Sequence, residues 1–166
     1  MVDATGLTGI SRPRVNAAVY ADCAGASCHG GTLMPFGNND WLALTSEPTL
    51  EPELPICDPH HHFWDRRAAR IPYQRYLLDE LAADVHAGHN VRSTVFIECR
   101  SMYRTDGPVE MRPVGEVEFV QGLAAASASG LYGPTRAAAA IIGHANLNLG
   151  ERVAPVLEAL RAASPN

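Results

Sequence analysis

The sequence contains no lysine, and all 13 of its basic residues are arginine. Without a lysine amine, the chain cannot form a Schiff base with a carbonyl substrate or supply a carboxylated lysine that bridges two metal ions. No apolar run approaches the roughly 20 residues of a membrane-spanning helix. The net charge of −5 argues against a nucleic acid or an anionic membrane as partner. The expected partner is therefore a small molecule.

Cysteine is scarce and shows no CxxC pair. Of the four cysteines, Cys57 and Cys99 lie in apolar, strand-like runs, where a free cysteine behaves as a small buried hydrophobe. Cys23 and Cys28 with His29 could form half of a metal knuckle, but no second half follows. Reduced thiols in a cytoplasmic protein are the simpler interpretation.

The composition, 46% hydrophobic and 19% charged over 166 residues, is that of a single globular domain. Residues 1–33 are rich in Gly, Ala, Ser and Thr and are predicted to form a flexible N-terminal extension without a signal-peptide core. Residues 34–53 read as an extended lead-in with Leu44 among its possible anchors. The folded domain is expected over residues 34–166.

Strand and helix patterns alternate three times along this domain, which predicts an α/β fold with parallel strands. The last helix has a stripe formed by Val153, Val156, Leu157 and Leu160, which we expect to be buried. The predicted strands are 54–60, 93–99 and 138–144, and the predicted helices are 76–86, 113–127 and one from about Gly150.

Three consecutive histidines follow the first predicted strand. Because side chains alternate along a strand, His60 and His62 project to one side and His61 to the other. Two imidazoles on one face can hold one divalent ion. The alternative is a solvated loop, or histidines packed on Phe63 and Trp64. The position favours the metal, since α/β folds collect their chemistry at the carboxyl ends of strands.

Five segments, in order, resemble the amidohydrolase-related superfamily, in its branch of lactonases and metal-dependent decarboxylases. That family forms a (β/α)₈ TIM barrel of about 250 residues or more. The resemblance therefore implies a partial barrel, about the first three βα units, after an extended N-terminal arm. The segments are LPICDPHHHFWD (54–65), RYLLDELAA (75–83), TVFIECRSMY (94–103), PVGEVEF (113–119) and IIGHANLNL (141–149).

The resemblance implies a metal-dependent hydrolase that cleaves a lactone or related C–O bond of a small carboxylated substrate. It places a divalent ion, most simply zinc, on His60 and His62, with Asp58 either orienting an imidazole or merely polar. Some lactonases in this branch work without a tightly held metal, so the alternative is that the two histidines bind the substrate directly. The family's remaining ligands come from later strands, so we expect weak or no zinc binding by the isolated chain. The alternatives are a non-oxidative decarboxylase, and an inactive fragment or a subunit that self-associates or needs a complementing chain.

Further candidate residues follow the second and third predicted strands. Glu98 and His144 end those strands and are candidate catalytic residues. The alternatives are a salt link from Glu98 to Arg100 and a structural rim position for His144. Arg100, Tyr103 and Arg104 lie in the next loop and are candidate substrate-binding residues, because an arginine can clamp a carboxylate with two hydrogen bonds. A solvated loop is the alternative for all three.

Overall fold

The computed structural model describes residues 44–66 and 74–166. The predicted extension over 1–33, and the first ten residues of the lead-in, lie outside this part. Leu44 is 80% exposed, so it does not anchor the lead-in. Within the described ranges, no helix has both the length and the apolar character needed to cross a membrane.

The predicted α/β architecture with parallel strands is confirmed. Three strands form a parallel sheet in the order β1-β4-β5, and two short strands, β2 and β3, form a separate antiparallel pair. In chain order the elements are β1 (Pro55–His61), β2 (Trp64–Asp65), β3 (Arg75–Tyr76), α1 (Leu78–Val85), β4 (Asn90–Ile97), α2 (Val114–Ala128), β5 (Arg136–Ile142) and α3 (Ala154–Ala163).

Two helix boundaries differ from the sequence expectation for local reasons. Helix α1 begins after Tyr76 because that residue pairs with Trp64 in the antiparallel strands. The last helix does not begin at Gly150, whose φ of 60° and ψ of −134° are not helical. A 3₁₀ segment spans Leu147–Val153, and α3 starts only at Ala154.

The hydrophobic core lies on the face of the sheet that the helices cover. Phe96 on β4 is fully buried there, with Leu81 of α1 and Val120 of α2 in the same cluster. The stripe predicted on the last helix is only partly buried. Val156 is buried, whereas Leu157 is 47% exposed, because α3 turns that side of its surface away from α2.

The opposite face of the sheet is apolar but only partly covered. Val95 and Ile97 of β4 lie beside Ala140 and Ile142 of β5 in the strand register. Their side chains point away from the helices, since Phe96 points toward them. Ile142 is 53% exposed. This surface, Val95, Ile97, Ala140 and Ile142, is called the open face below.

Candidate functional site

His60 and His62 converge at the carboxyl end of β1. Their Nε2 atoms lie 3.2 Å apart, and the two rings meet edge to face. Two nitrogens bound to one zinc at about 2.05 Å and a tetrahedral angle are separated by about 3.3 Å. The observed separation is compatible with two ligands of one ion. In the metal-free protein, the same distance suits an N–H···N hydrogen bond.

The backbone of the neighbouring strand orients His62. Its Nδ1 lies 2.8 Å from the carbonyl oxygen of Ile97, so the Nδ1–H donates to that carbonyl. This tautomer leaves Nε2 without a proton, as a metal ligand requires. Asp58 has a different role, since its carboxylate accepts a hydrogen bond from the backbone N–H of His60 at 3.1 Å. It shapes the turn of the chain at His60.

His61 points to the other side of the strand, as the alternation predicts. It is only 7% exposed and packs edge to face on Phe63 and Phe96. Neither ring nitrogen has a hydrogen-bond partner in the described part of the chain. Burial lowers the pKa of His61 to about 4, against the opposing effect of Asp58. His61 is therefore a neutral packing residue at neutral pH.

A cavity of about 620 Å³ runs along β1 and includes both metal-candidate histidines. Its size falls in the range of small-molecule sites, about 300–1,000 Å³. Trp64 and Tyr76 stack on each other at its wall, with ring centroids 5.2 Å apart. Cys57 also lines it and is exposed, so the expectation that Cys57 is buried is wrong. The thiol lies on β1, whose other edge has no partner strand among the described residues.

The donor set fits a metal ion but fills only half of its shell. A catalytic zinc usually has three protein ligands. Within residues 44–66 and 74–166, no group of three or more His, Cys, Asp or Glu side chains could hold an ion. If His60 and His62 bind an ion, they would supply two of its ligands, and further donors would have to come from outside these residues.

Glu98 and His144 meet at the ends of β4 and β5. The Nδ1 atom of His144 lies 3.9 Å from a carboxylate oxygen of Glu98. The hydroxyl of Tyr103 donates a hydrogen bond of 3.4 Å, longer than an ordinary O–H···O bond, to the other carboxylate oxygen of Glu98. Burial, then the carboxylates of Glu116 and Glu98, raise the pKa of Tyr103 above its ordinary value, so its hydroxyl remains a donor. Glu98 directly follows Ile97, the residue that orients His62.

A buried carboxylate shapes the loop after β4. One oxygen of Glu116 accepts hydrogen bonds from the backbone N–H groups of Cys99, at 3.0 Å, and Ser101, at 2.7 Å. These groups flank Arg100, whose φ of 62° lies in the left-handed region that non-glycine residues avoid. Glu116 therefore holds a strained turn in place. Its own burial raises the pKa of this carboxyl, partly opposed by these hydrogen bonds.

The loop after β4 also packs closely on the first turn of α2. A Cβ atom added at Gly115 would lie 2.7 Å from the carbonyl oxygen of Met102 and 2.9 Å from the backbone nitrogen of Arg104. Real Cβ atoms essentially never approach backbone atoms this closely. Glycine at this position is therefore what allows the loop to lie against the helix.

A second cavity, of about 580 Å³, opens between this loop and the segment after β5. Arg100, Tyr103 and His144, all predicted site residues, line it. Arg104 does not, because its guanidinium turns outward and pairs with Glu118. Arg112, in contrast, is among the residues that line the cavity. Of the three predicted substrate-binding residues, Arg100 and Tyr103 thus line the same cavity, and Arg104 does not.

Arg112 and Glu116 are the residues that sequence reasoning missed. Neither residue is among the candidates that the sequence patterns indicate. A signal did exist for Glu116, since it lies among Val114, Gly115 and Val117 and all four are buried. An acidic residue on an otherwise apolar helix turn indicates a buried carboxylate with specific partners.

Comparison of the chain with protein-family models, with curated proteins and with solved structures found no match.

Proposed function

We propose that this protein supplies the metal half-site of a hydrolase that opens a lactone or related C–O bond in a small molecule. The observation that supports it is the His60–His62 pair, whose Nε2 atoms are 3.2 Å apart. A bound divalent ion would supply a Lewis acid that polarises the carbonyl and lowers the pKa of a water molecule. In this proposal the sheet is the first part of a (β/α)₈ barrel.

The chain's own residues have distinct tasks in such a reaction. His60 and His62 hold the ion, and the carbonyl of Ile97 keeps the Nε2 of His62 unprotonated. Glu98 lies beside His144 and is the candidate for moving a proton through its carboxylate. The hydroxyl of Tyr103 donates to Glu98 and keeps that carboxylate in one orientation. Ser101 and Glu116 are buried, which keeps water away from the base of the loop between β4 and α2.

The test is an assay of the whole chain with zinc, against simple lactones and against aromatic carboxylic acids. The hydrolase proposal expects ring opening that requires zinc and is lost in the His60→Ala/His62→Ala double variant. A Glu98→Gln variant should retain zinc and lose most of the turnover, by roughly 10²-fold or more if Glu98 transfers a proton. Release of carbon dioxide without ring opening would contradict the hydrolase and favour a decarboxylase.

A second candidate is a subunit that contributes this half-site to a larger assembly, through self-association or a complementing chain. It is favoured by the two-ligand donor set and by the open face, where Ile142 is half exposed. We expect a solution mass above the 17.8 kDa of one chain and a decrease in that mass for Ile142→Ser. Leu131→Ser, at an equally apolar but isolated exposed position, is the matched control. A monomer with full turnover would contradict this candidate.

A further inference from the structure

Hydrogen bonds from two other elements fix the backbone on both sides of the Glu98 side chain. The N–H of Glu98 donates to the carbonyl oxygen of Ile142 on β5 at 2.9 Å. The next N–H along the chain, that of Cys99, donates to the Oε1 atom of Glu116 on α2 at 3.0 Å. The Glu98 side chain thus leaves the backbone between a bond to the sheet and a bond to a helix. Its direction therefore depends on Glu116 as well as on β5.

The bond to Glu116 holds a part of the chain where regular strand geometry has ended. Strand β4 ends at Ile97, and Arg100 and Met102 have φ values of 62° and 54°. Because residues other than glycine avoid this left-handed region, such a turn persists only where the surrounding structure holds it. The Oε1 atom of Glu116 supplies two of the contacts that do so, since it also accepts from the N–H of Ser101 at 2.7 Å.

A carboxylate is an unfavourable group to bury at this place in the helix. Glu116 is 1% exposed, and its second oxygen, Oε2, is buried without a hydrogen-bond partner in the described part of the chain. Burial raises the pKa of the Glu116 carboxyl, and the bonds from Cys99 and Ser101 oppose that rise. Hydrogen bonds to a charged acceptor are about twice as strong as those between neutral groups. The charged form of Glu116 therefore holds the turn more firmly than a neutral side chain would.

We infer that Glu116 is a positioning residue, which fixes the direction of the Glu98 carboxylate through the backbone of Cys99. The inference rests on the proposed function in treating Glu98 as the group that transfers a proton. The Glu98 carboxylate lies 3.9 Å from the Nδ1 atom of His144, so a change in its direction alters this pairing. Glu116 lines neither of the two cavities described above, and it therefore acts through Glu98 and not on a substrate.

The test compares two substitutions of Glu116 by steady-state turnover of a lactone, using the whole chain with zinc. Glu116→Gln keeps an acceptor oxygen of the same reach, and its kcat should stay within about threefold of the wild type. Glu116→Met has a similar size and no such acceptor, and its kcat should fall by about 10- to 100-fold with KM unchanged, as for a misplaced reacting group. The matched control Glu118→Met removes an exposed acid that pairs with Arg104, and it should change kcat by less than about twofold.

Two further variants separate positioning from general stability. Ser127→Ala removes a buried hydroxyl that bonds to the start of β5, and it should leave kcat unchanged under conditions where the protein is folded. In the Glu98→Gln background, Glu116→Met should have little further effect on kcat, because residues that act through one group are not additive. A loss of the same size in both backgrounds would overturn the inference, as would wild-type kcat in Glu116→Met.

Nuclear magnetic resonance of the metal-free whole chain tests the inference without turnover. Glu116→Met should speed the amide hydrogen exchange of Cys99 and Ser101 by about 10-fold or more, as expected for lost hydrogen bonds to a charged group. It should also move the resonance of the Glu98 carboxyl carbon, whereas Glu118→Met should change neither property. If the wild type shows no turnover, the proposed function fails, and these two measurements still decide the inference. Unchanged exchange or an unchanged Glu98 resonance in Glu116→Met would contradict it.

Discussion

The two ends of the parallel sheet differ in the hydrogen bonding of their buried polar groups. At the amino end of the sheet, where β4 and β5 begin, buried polar groups are paired. Thr135 donates to the carbonyl of Val91 at 2.6 Å. Ser127 donates to the carbonyl of Thr135 and accepts from the N–H of Ala137, both at 3.0 Å. These hydrogen bonds connect α2 to the sheet and serve its stability.

At the carboxyl end, buried polar groups are left without partners. Within the described ranges, every buried side-chain nitrogen or oxygen that lacks a hydrogen bond belongs to His61, Arg112 or Glu116. Arg100 and Met102, both with positive φ, lie in the same loop region. Unpaired buried groups cost stability. Positive φ is not confined to this end, since Ala138 near the start of β5 has a φ of 47°.

The largest expected effect is at the amino end. Ser127→Ala removes the hydroxyl that joins Thr135 to Ala137 and leaves two backbone groups unpaired. At about 1–3 kcal/mol for each buried unsatisfied group, we expect a loss of about 3 kcal/mol in the free energy of unfolding, measured by urea denaturation. Ser129→Ala, which removes an exposed hydroxyl on the same helix end, should cost less than about 1 kcal/mol. Equal losses would contradict the pairing account.

At the carboxyl end, the neutral burial of His61 should make stability depend on pH. The folded pKa of about 4 lies below the ordinary 6.5, so the unfolded chain binds the proton first. The free energy of unfolding is therefore highest above pH 6.5 and decreases as the pH falls from 6.5 toward 4. The size of this decrease is on the order of 2–3 kcal/mol.

His61→Phe should abolish this dependence, because phenylalanine suits the contacts with Phe63 and Phe96 and has no titrating nitrogen. The measurement is urea denaturation of metal-free protein between pH 4 and 7. His89→Phe, at an exposed position, is the control and should retain the wild-type slope. A slope that persists in His61→Phe would assign the dependence to other groups.

The close contact between the β4–α2 loop and α2 gives a smaller effect with an internal control. Gly115→Ala would force the loop away from the helix, and overpacking costs about 1–3 kcal/mol. Gly122→Ala, in the same helix, meets nothing within 4 Å and should gain up to about 1 kcal/mol from helix propensity. Similar effects of both substitutions on stability would show that the loop does not depend on this contact.

The elements could be predicted from the sequence because their signals are local. Alternation on β4 and the apolar face of α1 depend on neighbouring residues, and both elements form where expected within about three residues. The convergence of His60 and His62 also follows from strand periodicity alone. The interruption at Gly150 could not be predicted, because a glycine is equally compatible with a helix start and with a break.

The polar details of the site required the three-dimensional structure. That Arg104 turns to Glu118 while Arg112 lines the cavity depends on how the loop folds over α2, and both arginines look alike in the sequence. Glu116 accepts hydrogen bonds from the backbone of Ser101 and Cys99, which lie 15 and 17 positions before it in the sequence. The exposure of Cys57 likewise depends on the tertiary packing around β1, which no local pattern reveals.

Zinc binding tests the central claim, that the carboxyl end carries a two-histidine half-site. Structural zinc sites with four ligands contribute about 10–16 kcal/mol, so half a shell predicts a dissociation constant of roughly 1–100 μM. Calorimetric titration should give weak one-to-one binding that His60→Ala/His62→Ala abolishes and that His86→Ala, at the amino end, leaves unchanged. Identical binding curves for the wild type and the double variant would contradict the claim, and nanomolar affinity would show that further ligands complete the site.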